Sequence, residues 1–236
     1  AFRDIQGLAG QGSFVHRGHE MAGLAGDAWA DLESPDGMAV ANVAGQSVQD
    51  TITRWAEAHW NLQPVFVQAV ATAAGVTNGY AIPGQLGVDR WAAMVAAWRE
   101  QQTAVLVIDC GTAITIDFVD AGGRHHGGLI APGVDMMRQS LSRDTADIDI
   151  LPADQVQPVT RLADGTEAAI RNGTIRMAAA MIDSVVADIS RRYDSSVCAV
   201  LAGGDATRIR PLLECNTIHD PDLVLKGVAI LVEEQA

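Results

Sequence analysis

The sequence predicts an α/β protein of two related halves with a cleft between them, and three observations predict it. Residues 38–44, 46–60 and 64–67 read as strand, helix and strand, the signature of a parallel sheet with crossover helices. Ala104-Val105-Leu106-Val107-Ile108 is an unbroken apolar run with the mark of a fully buried strand. It opens a hairpin-rich stretch, with strands at 104–109, 113–119 and 126–130, that begins a second half resembling the first. At 236 residues and 48% hydrophobic, the chain can bury a sizeable core. The halves are expected at 1–98 and 99–236.

The elements follow from local chemistry. A Pro35-Asp36-Gly37 turn launches the strand at 38–44. Val48, Ile52, Trp55 and Ala56 place an apolar stripe on the helix at 46–60. Residues 91–98 are dense in alanine and large apolar residues, with almost no charge before Arg99, which predicts a buried helix. Helices are expected at 134–143 and 166–192, the second striped by Ile170, Ile175, Met181, Ile182, Val185 and Ile189. Residues 197–201 form a strand ending at the Gly203-Gly204 turn, and 223–232 a closing helix. Pro152 and Pro158 mark 151–162 as a loop.

Composition narrows the function. A formal charge of −13, from 29 acidic against 16 basic residues, disfavours nucleic-acid or anionic-membrane partners. Lys226 is the single lysine and follows no Gly-rich loop, so a Walker A arrangement is excluded. Phosphate charge must then be met by backbone amides, metal ions or arginine. Cys110, Cys198 and Cys215 are widely spaced, odd in number and form no Cys-x-x-Cys, which fits a reducing cytoplasm. Cys110 and Cys198 read as small core residues. No apolar stretch reaches the ~18 residues of a membrane span, and 1–30 lack the pattern of a leader.

Two stretches carry chemistry. Asp109-Cys110-Gly111-Thr112 delivers a carboxylate at a strand end into a turn where Gly111 admits an anion to the backbone, Thr112 adds a hydroxyl and Asp109 holds a cation. An Asp-Gly turn in a plain hairpin accounts for the same residues. Gly87-Val88-Asp89-Arg90 opens the buried helix, where Asp89 serves either as its N-cap or as a general base beside an anion-clamping Arg90. Spacing alone does not choose.

With Gly79-Tyr80, Gly127-Gly128-Leu129-Ile130-Ala131-Pro132-Gly133, Met136-Met137-Arg138, Thr145-Ala146, Thr166-Glu167-Ala168 and Leu201-Ala202-Gly203-Gly204-Asp205, these stretches resemble the type III pantothenate kinases from about Asn42 to the C-terminus. The resemblance implies a duplicated ribonuclease-H-like fold of the actin, sugar kinase and chaperone ATPase superfamily, binding ATP between the halves. It implies ATP-dependent phosphorylation of pantothenate, the first step of coenzyme A biosynthesis, by a cytoplasmic homodimer. It makes Asp89 the catalytic base and Asp109 the ligand of a monovalent cation, K+ or NH4+, acting with Mg2+. Tyr80, Gly87, Val88, Asp89, Arg90 and Thr166 would line the pantothenate pocket. Gly111 and Thr112 would meet ATP phosphate, and Gly203 and Gly204 the adenosine.

One departure stands out. The family opens with a strand carrying an Asp-x-Gly-Asn-Thr/Ser phosphate loop, which these 236 residues lack. Residues 1–4 and 8–17 look instead like the family's second and third strands, so the first strand is expected either upstream of Ala1 or lost. If lost, a non-catalytic regulatory or binding protein on the same fold is the alternative. Several further residues are expected to be structural. His125 and His126 point to opposite strand faces and suit a hairpin better than a shared metal. His16 and His19 read as loop residues, Asp117 as a weaker acidic candidate, and Thr166 as a possible cap of its own helix.

Overall fold

In the computed structural model, contacts divide the chain into two units, Ala1–Ala96 with Leu223–Ala236, and Ala97–Asp222. The residues described are 32–143, 159–193 and 197–234, with 2–4, 7–9 and the single helical positions 23, 27 and 29. Expectations for His16, His19, Thr145, Ala146 and most of the 151–162 loop fall outside them.

The first unit begins with an antiparallel pair, β1 (Phe2–Asp4) and β2 (Gly7–Ala9). A parallel pair follows, β3 (Ala39–Val40) and β4 (Val65–Phe66), joined through α1 (Gln46–Trp60) as the strand–helix–strand pattern predicts. The strand expected over 38–44 is thus only two residues long. The helix α1 buries Ile52, Trp55 and Ala56 on one face. It ends where Asn61 turns left-handed: Asn61 N–H donates to Glu57 O at 3.1 Å and Leu62 N–H to Ala56 O at 3.3 Å. Trp55 anchors an aromatic cluster, its ring 5.0 Å from Trp29 and 4.7 Å from Trp60. A short hairpin, β5 (Thr72–Ala73) and β6 (Val76–Thr77), turns through Ala74 and Gly75, both at positive φ, the geometry that suits the twist of a two-residue hairpin.

The helix α2 (Val88–Gln101) starts one turn earlier than its apolar run suggests, because Gly87 supplies the capping carbonyl. From Trp91 to Ala97 every side chain is buried, so this helix is core on all sides.

In the second unit, β7 (Val105–Cys110), β8 (Ala113–Val119) and β9 (His125–Pro132) form an antiparallel meander. The helices α3 (Val134–Arg143) and α4 (Thr166–Tyr193) follow, then β10 (Cys198–Ala202), the single turn α5 (Ala206–Ile209) and β11 (Thr217–His219). The strand order is β11-β10-β7-β8-β9, with β10 parallel to both β7 and β11. Leu106, Ile108, Cys110, Ile114, Ile116, Phe118, Ala199 and Leu201 share one core with Ile175, Ala178, Ala179 and Ile182. Those four recur at i, i+3, i+4 and i+7, the spacing of one helix face. By the period of a strand, Asp109, Thr115 and Asp117 belong to the opposite sheet face. Asp183 on α4 accepts the N–H groups of Glu214 and Cys215 at 3.0 Å, pinning the chain that leads to β11.

The last helix, α6 (Leu223–Glu233), returns to the first unit. The protein is therefore a mixed α/β fold with a central five-stranded sheet in its second unit. No helix among the described residues is long and apolar enough to cross a membrane.

Gly227 is the point where α6 meets α2 backbone to backbone: a β-carbon there would lie 1.9 Å from the Ala92 carbonyl oxygen. Gly227→Ala is expected to destabilise the protein by at least ~1–3 kcal/mol, the usual cost of overpacking. Gly173→Ala, in the middle of α4 with nothing within 4 Å of the added carbon, should instead stabilise by roughly 0.5–1 kcal/mol. Urea midpoints of both variants check the pair, and an unshifted midpoint for Gly227→Ala would refute the close crossing.

Candidate functional site

In the first unit, the residues predicted to bind substrate gather at the start of α2. A 3-10 turn at Pro83–Gln85 is closed by Leu86 N–H donating to Pro83 O at 3.1 Å, and the chain then enters the helix through Gly87, whose carbonyl accepts the Trp91 N–H at 3.0 Å. Gly87 is the capping residue. Asp89 lies inside the first turn, so the N-cap reading of Asp89 is corrected. Its Oδ1 accepts the N–H of its neighbour Arg90 at 2.8 Å, which places a carboxylate at the positive end of the helix. A β-carbon on Gly87 would stand 2.6 Å from that Oδ1, so the carboxylate is folded over a position kept bare.

Arg90 is buried, and its Nη1 donates to the Tyr80 hydroxyl at 3.0 Å. The guanidinium carbon is 5.8 Å from the Tyr80 ring centroid, at the outer edge of cation–π range, so the hydrogen bond describes the contact better than stacking does. Val88 is buried and Asp89 half-buried.

In the second unit, Asp109, Cys110, Gly111 and Thr112 form the end of β7 and the tip of its hairpin with β8. Cys110 pairs with Ile114, Gly111 N–H donates to Ala113 O at 3.1 Å, and Thr112 is exposed at the apex. The hairpin reading of this stretch is correct, and it leaves the phosphate-cradle reading intact, since a tight hairpin also presents its tip.

Two glycines hold that tip. Gly133 caps α3 and donates its N–H to Thr112 O at 3.0 Å; a β-carbon there would lie 2.3 Å from Gly111 O. Gly203 has φ +89, and its β-carbon would lie 2.4 Å from Asp109 Oδ1 and 2.6 Å from Cys110 N. Gly111 and Gly204 differ. Neither has a positive φ, Gly204 has nothing within 4 Å, and Gly111 would make only ordinary contacts. The packing of the protein itself does not require glycine at either.

Sequence reading missed a chain of alternating charges that ties α3, α4 and α5 together. Asp205 pairs with Arg208 at 2.6 Å, Arg208 with Asp135 at 3.6 Å, and Asp135 with Arg138 at 3.2 Å. Arg138 then pairs with Glu167 at 3.4 Å, and Glu167 with Arg171 at 3.1 Å. Only the i, i+3 and i, i+4 links were open to sequence inspection. Burial raises the Asp205 carboxyl above its ordinary value, with Arg208 pulling it back. Thr166 is exposed in the first turn of α4, and Gly165 supplies the capping carbonyl, to Ala169 N–H at 2.8 Å, so the cap reading of Thr166 is corrected.

Burial, reinforced by Asp109 and Asp205, pushes the Cys110 thiol up to about 12, which suits a core residue and not a nucleophile. None of the three cysteines forms a disulfide. His125 is buried against Asp117 at 3.0 Å, while His126 faces Asp120 at 2.6 Å, each histidine with its own carboxylate. Asp117 thus serves His125 within the sheet. Among the described residues no group of three or more His, Cys, Asp or Glu side chains is placed to hold a metal.

The sequence profile of the type III pantothenate kinases matches residues 10–188. A type III pantothenate kinase of Nitrosococcus oceani is 38% identical over 212 residues, covering 88% of this chain and 79% of that protein. One of Nitrosospira multiformis is 33% identical over 230 residues, covering 98% and 83%. Among solved structures, a Baf family protein of Campylobacter jejuni aligns with a TM-score of 0.55 at 20% identity, over 86% of this chain and 85% of that one, a likeness of fold.

Gly203→Ala combines a left-handed backbone with a β-carbon driven into Asp109 and Cys110, so it is expected to cost more than ~2 kcal/mol of stability. Gly204→Ala should leave stability within ~0.5 kcal/mol, as for an unconstrained surface position. Thermal melts of the two variants, run side by side, test this difference; equal losses would refute it.

Proposed function

The chain belongs to the type III pantothenate kinase family, and from that premise we propose how its residues divide the work. The enzyme phosphorylates pantothenate at the expense of ATP, the first step of coenzyme A biosynthesis. The two units correspond to the two ribonuclease-H-like halves of the actin and sugar kinase fold. In support, an antiparallel pair precedes a parallel pair in each: β1–β2 then β3–β4, and β8–β9 then β10–β11.

The observation that carries the assignment of roles is the first turn of α2. Its half-buried Asp89 carboxylate presents one oxygen to Arg90 N–H and lies over a bare Gly87. Asp89 takes the proton from the pantothenate hydroxyl as that oxygen attacks the γ-phosphorus and the bond to ADP breaks. Arg90, held by Tyr80, meets the pantothenate carboxylate, where a guanidinium fork suits a planar anion. Gly87 and Val88 form the wall behind Asp89, and the exposed Thr166 hydroxyl is assigned to pantothenate as well.

At the hairpin, Gly111 and Thr112 approach ATP phosphate, and Gly203 and Gly204 approach adenosine. The freedom of Gly111 and Gly204 from internal constraint supports a ligand, and not the fold, as the reason for glycine there. Asp109 is the residue that would hold K+ or NH4+. A single carboxylate also fits Mg2+, which keeps its waters and binds mainly through phosphate oxygens. Together these ions supply positive charge that offsets the transferring phosphoryl group. The enzyme works in the cytoplasm as a homodimer.

Asp89→Asn keeps an oxygen for Arg90 N–H but removes the proton acceptor. Turnover in an assay coupled to ADP release should fall by ~10²–10⁴, the usual loss for a general base, while the melting temperature barely moves. Turnover within a few-fold of wild type would remove Asp89 as the base.

Replacing K+ with Na+ at constant ionic strength should abolish most of the activity, because the ion assigned to Asp109 is K+ or NH4+ and not Na+. Full activity in sodium-only buffer would sink the monovalent-cation role of Asp109.

A further inference from the structure

Tyr80 stands outside regular secondary structure, at the start of the ten-residue path from Asn78 to Gly87, yet it must hold its ring and hydroxyl steady against Arg90. Asn78 accounts for that. It is a buried polar residue whose Oδ1 accepts the Tyr80 N–H at 3.0 Å. Its Nδ2 donates to Val70 O at 3.2 Å and to Pro83 O at 3.3 Å, and its own N–H donates to Ala71 O at 2.9 Å. One side chain therefore joins the chain before the β5–β6 hairpin, the residue Tyr80 and the 3-10 turn at Pro83. That Pro83 carbonyl also accepts Leu86 N–H, one residue before Gly87. Asn78 thus fixes Tyr80 from its backbone side while Arg90 fixes it at the hydroxyl, and it braces the turn that launches Gly87 to Arg90.

We propose that Asn78 is a positioning residue for the acceptor substrate, setting the Tyr80–Arg90 pair that meets the pantothenate carboxylate. This rests on the kinase reading of the same pocket. The hydrogen bonds of Asn78 end on Val70, Ala71, Tyr80 and Pro83, all in the segment that leads into the pantothenate-binding turn, so its influence is expected on pantothenate and not on ATP.

Asn78→Asp isolates the effect. The oxygen that accepts Tyr80 N–H is retained, whereas the second oxygen now faces the carbonyls of Val70 and Pro83 with nothing to donate. The KM for pantothenate should rise on the order of 10-fold or more, as expected when a substrate clamp is misplaced, with the KM for ATP within about 2-fold of wild type. In a Tyr80→Ala background the same change should raise the pantothenate KM by less than about 2-fold, since residues acting as one unit are not additive. Asn78→Ser, whose hydroxyl ends one bond short of the amide nitrogen and so gives up the contacts to Val70 and Pro83, should likewise raise only the pantothenate KM, and it serves if the Asp variant does not fold. Parallel increases in both KM values, or an undiminished effect in the Tyr80→Ala background, would overturn the proposal and leave the kinase reading in place. A wild-type protein that fails to phosphorylate pantothenate would overturn both.

Discussion

At the tip of the β7–β8 hairpin, main chain meets main chain with no room for a β-carbon. Gly203 brings the end of β10 against Asp109 and Cys110, and Gly133 brings the start of α3 against Gly111 and Thr112. Asp205 N–H then bonds to Cys110 O at 2.9 Å, and Gly133 N–H to Thr112 O at 3.0 Å. The orientation of the tip is therefore set by two backbone segments, 203–205 and the start of α3 at Gly133, and not by side-chain packing, which rotamer changes could loosen. Every role assigned to Asp109, Gly111 and Thr112 depends on this arrangement, because electrostatic stabilisation of a transferring phosphoryl group requires donors that are in place beforehand.

The helix starts around that tip are fixed by charge. Asp135, Glu167 and Asp205 alternate with Arg138, Arg171 and Arg208, so a protein with a formal charge of −13 carries a locally neutral chain beside its hairpin. Arg138 is only 3% exposed. Buried pairs of this kind add little net stability, because desolvation offsets their attraction. Their effect here is geometric: Arg208–Asp135 ties α5 to α3 and Arg138–Glu167 ties α3 to α4, while the other three links lie within one helix start.

The first unit solves the same problem of rigidity by other means. The path from Asn78 to Gly87 holds only one 3-10 turn, and a stretch of that kind is ordinarily among the more mobile parts of a fold. Here a buried amide, a buried guanidinium and a bare glycine hold it. The helix that follows is core on every side, so the first-turn carboxylate stands on a support that cannot shift without disturbing the packing of Trp91 and Met94.

Local pattern was enough for what local chemistry controls. The bounds of α1 and α3, the buried character of α2 and the hairpin at 105–119 follow from periodicity, breakers and apolar runs. The residues of the candidate site were legible as well, because Asp109, Gly111, Asp89 and Arg90 lie within two short stretches. Features joining distant residues were not legible. The two-residue strands β5 and β6 and the edge strand β11 are too short to show a period. That Gly87 and not Asp89 caps α2 depends on where the first helical carbonyl points. That Gly203 is demanded by packing while Gly204 is not depends on what lies 2.4 Å away, a residue 94 positions earlier in the chain. The return of α6 to the first unit and the six-membered charge chain are of the same kind. Periodicity and turn chemistry act over a few residues and are written in order along the chain; close approach and ion pairing act through space, so only the tertiary structure decides them.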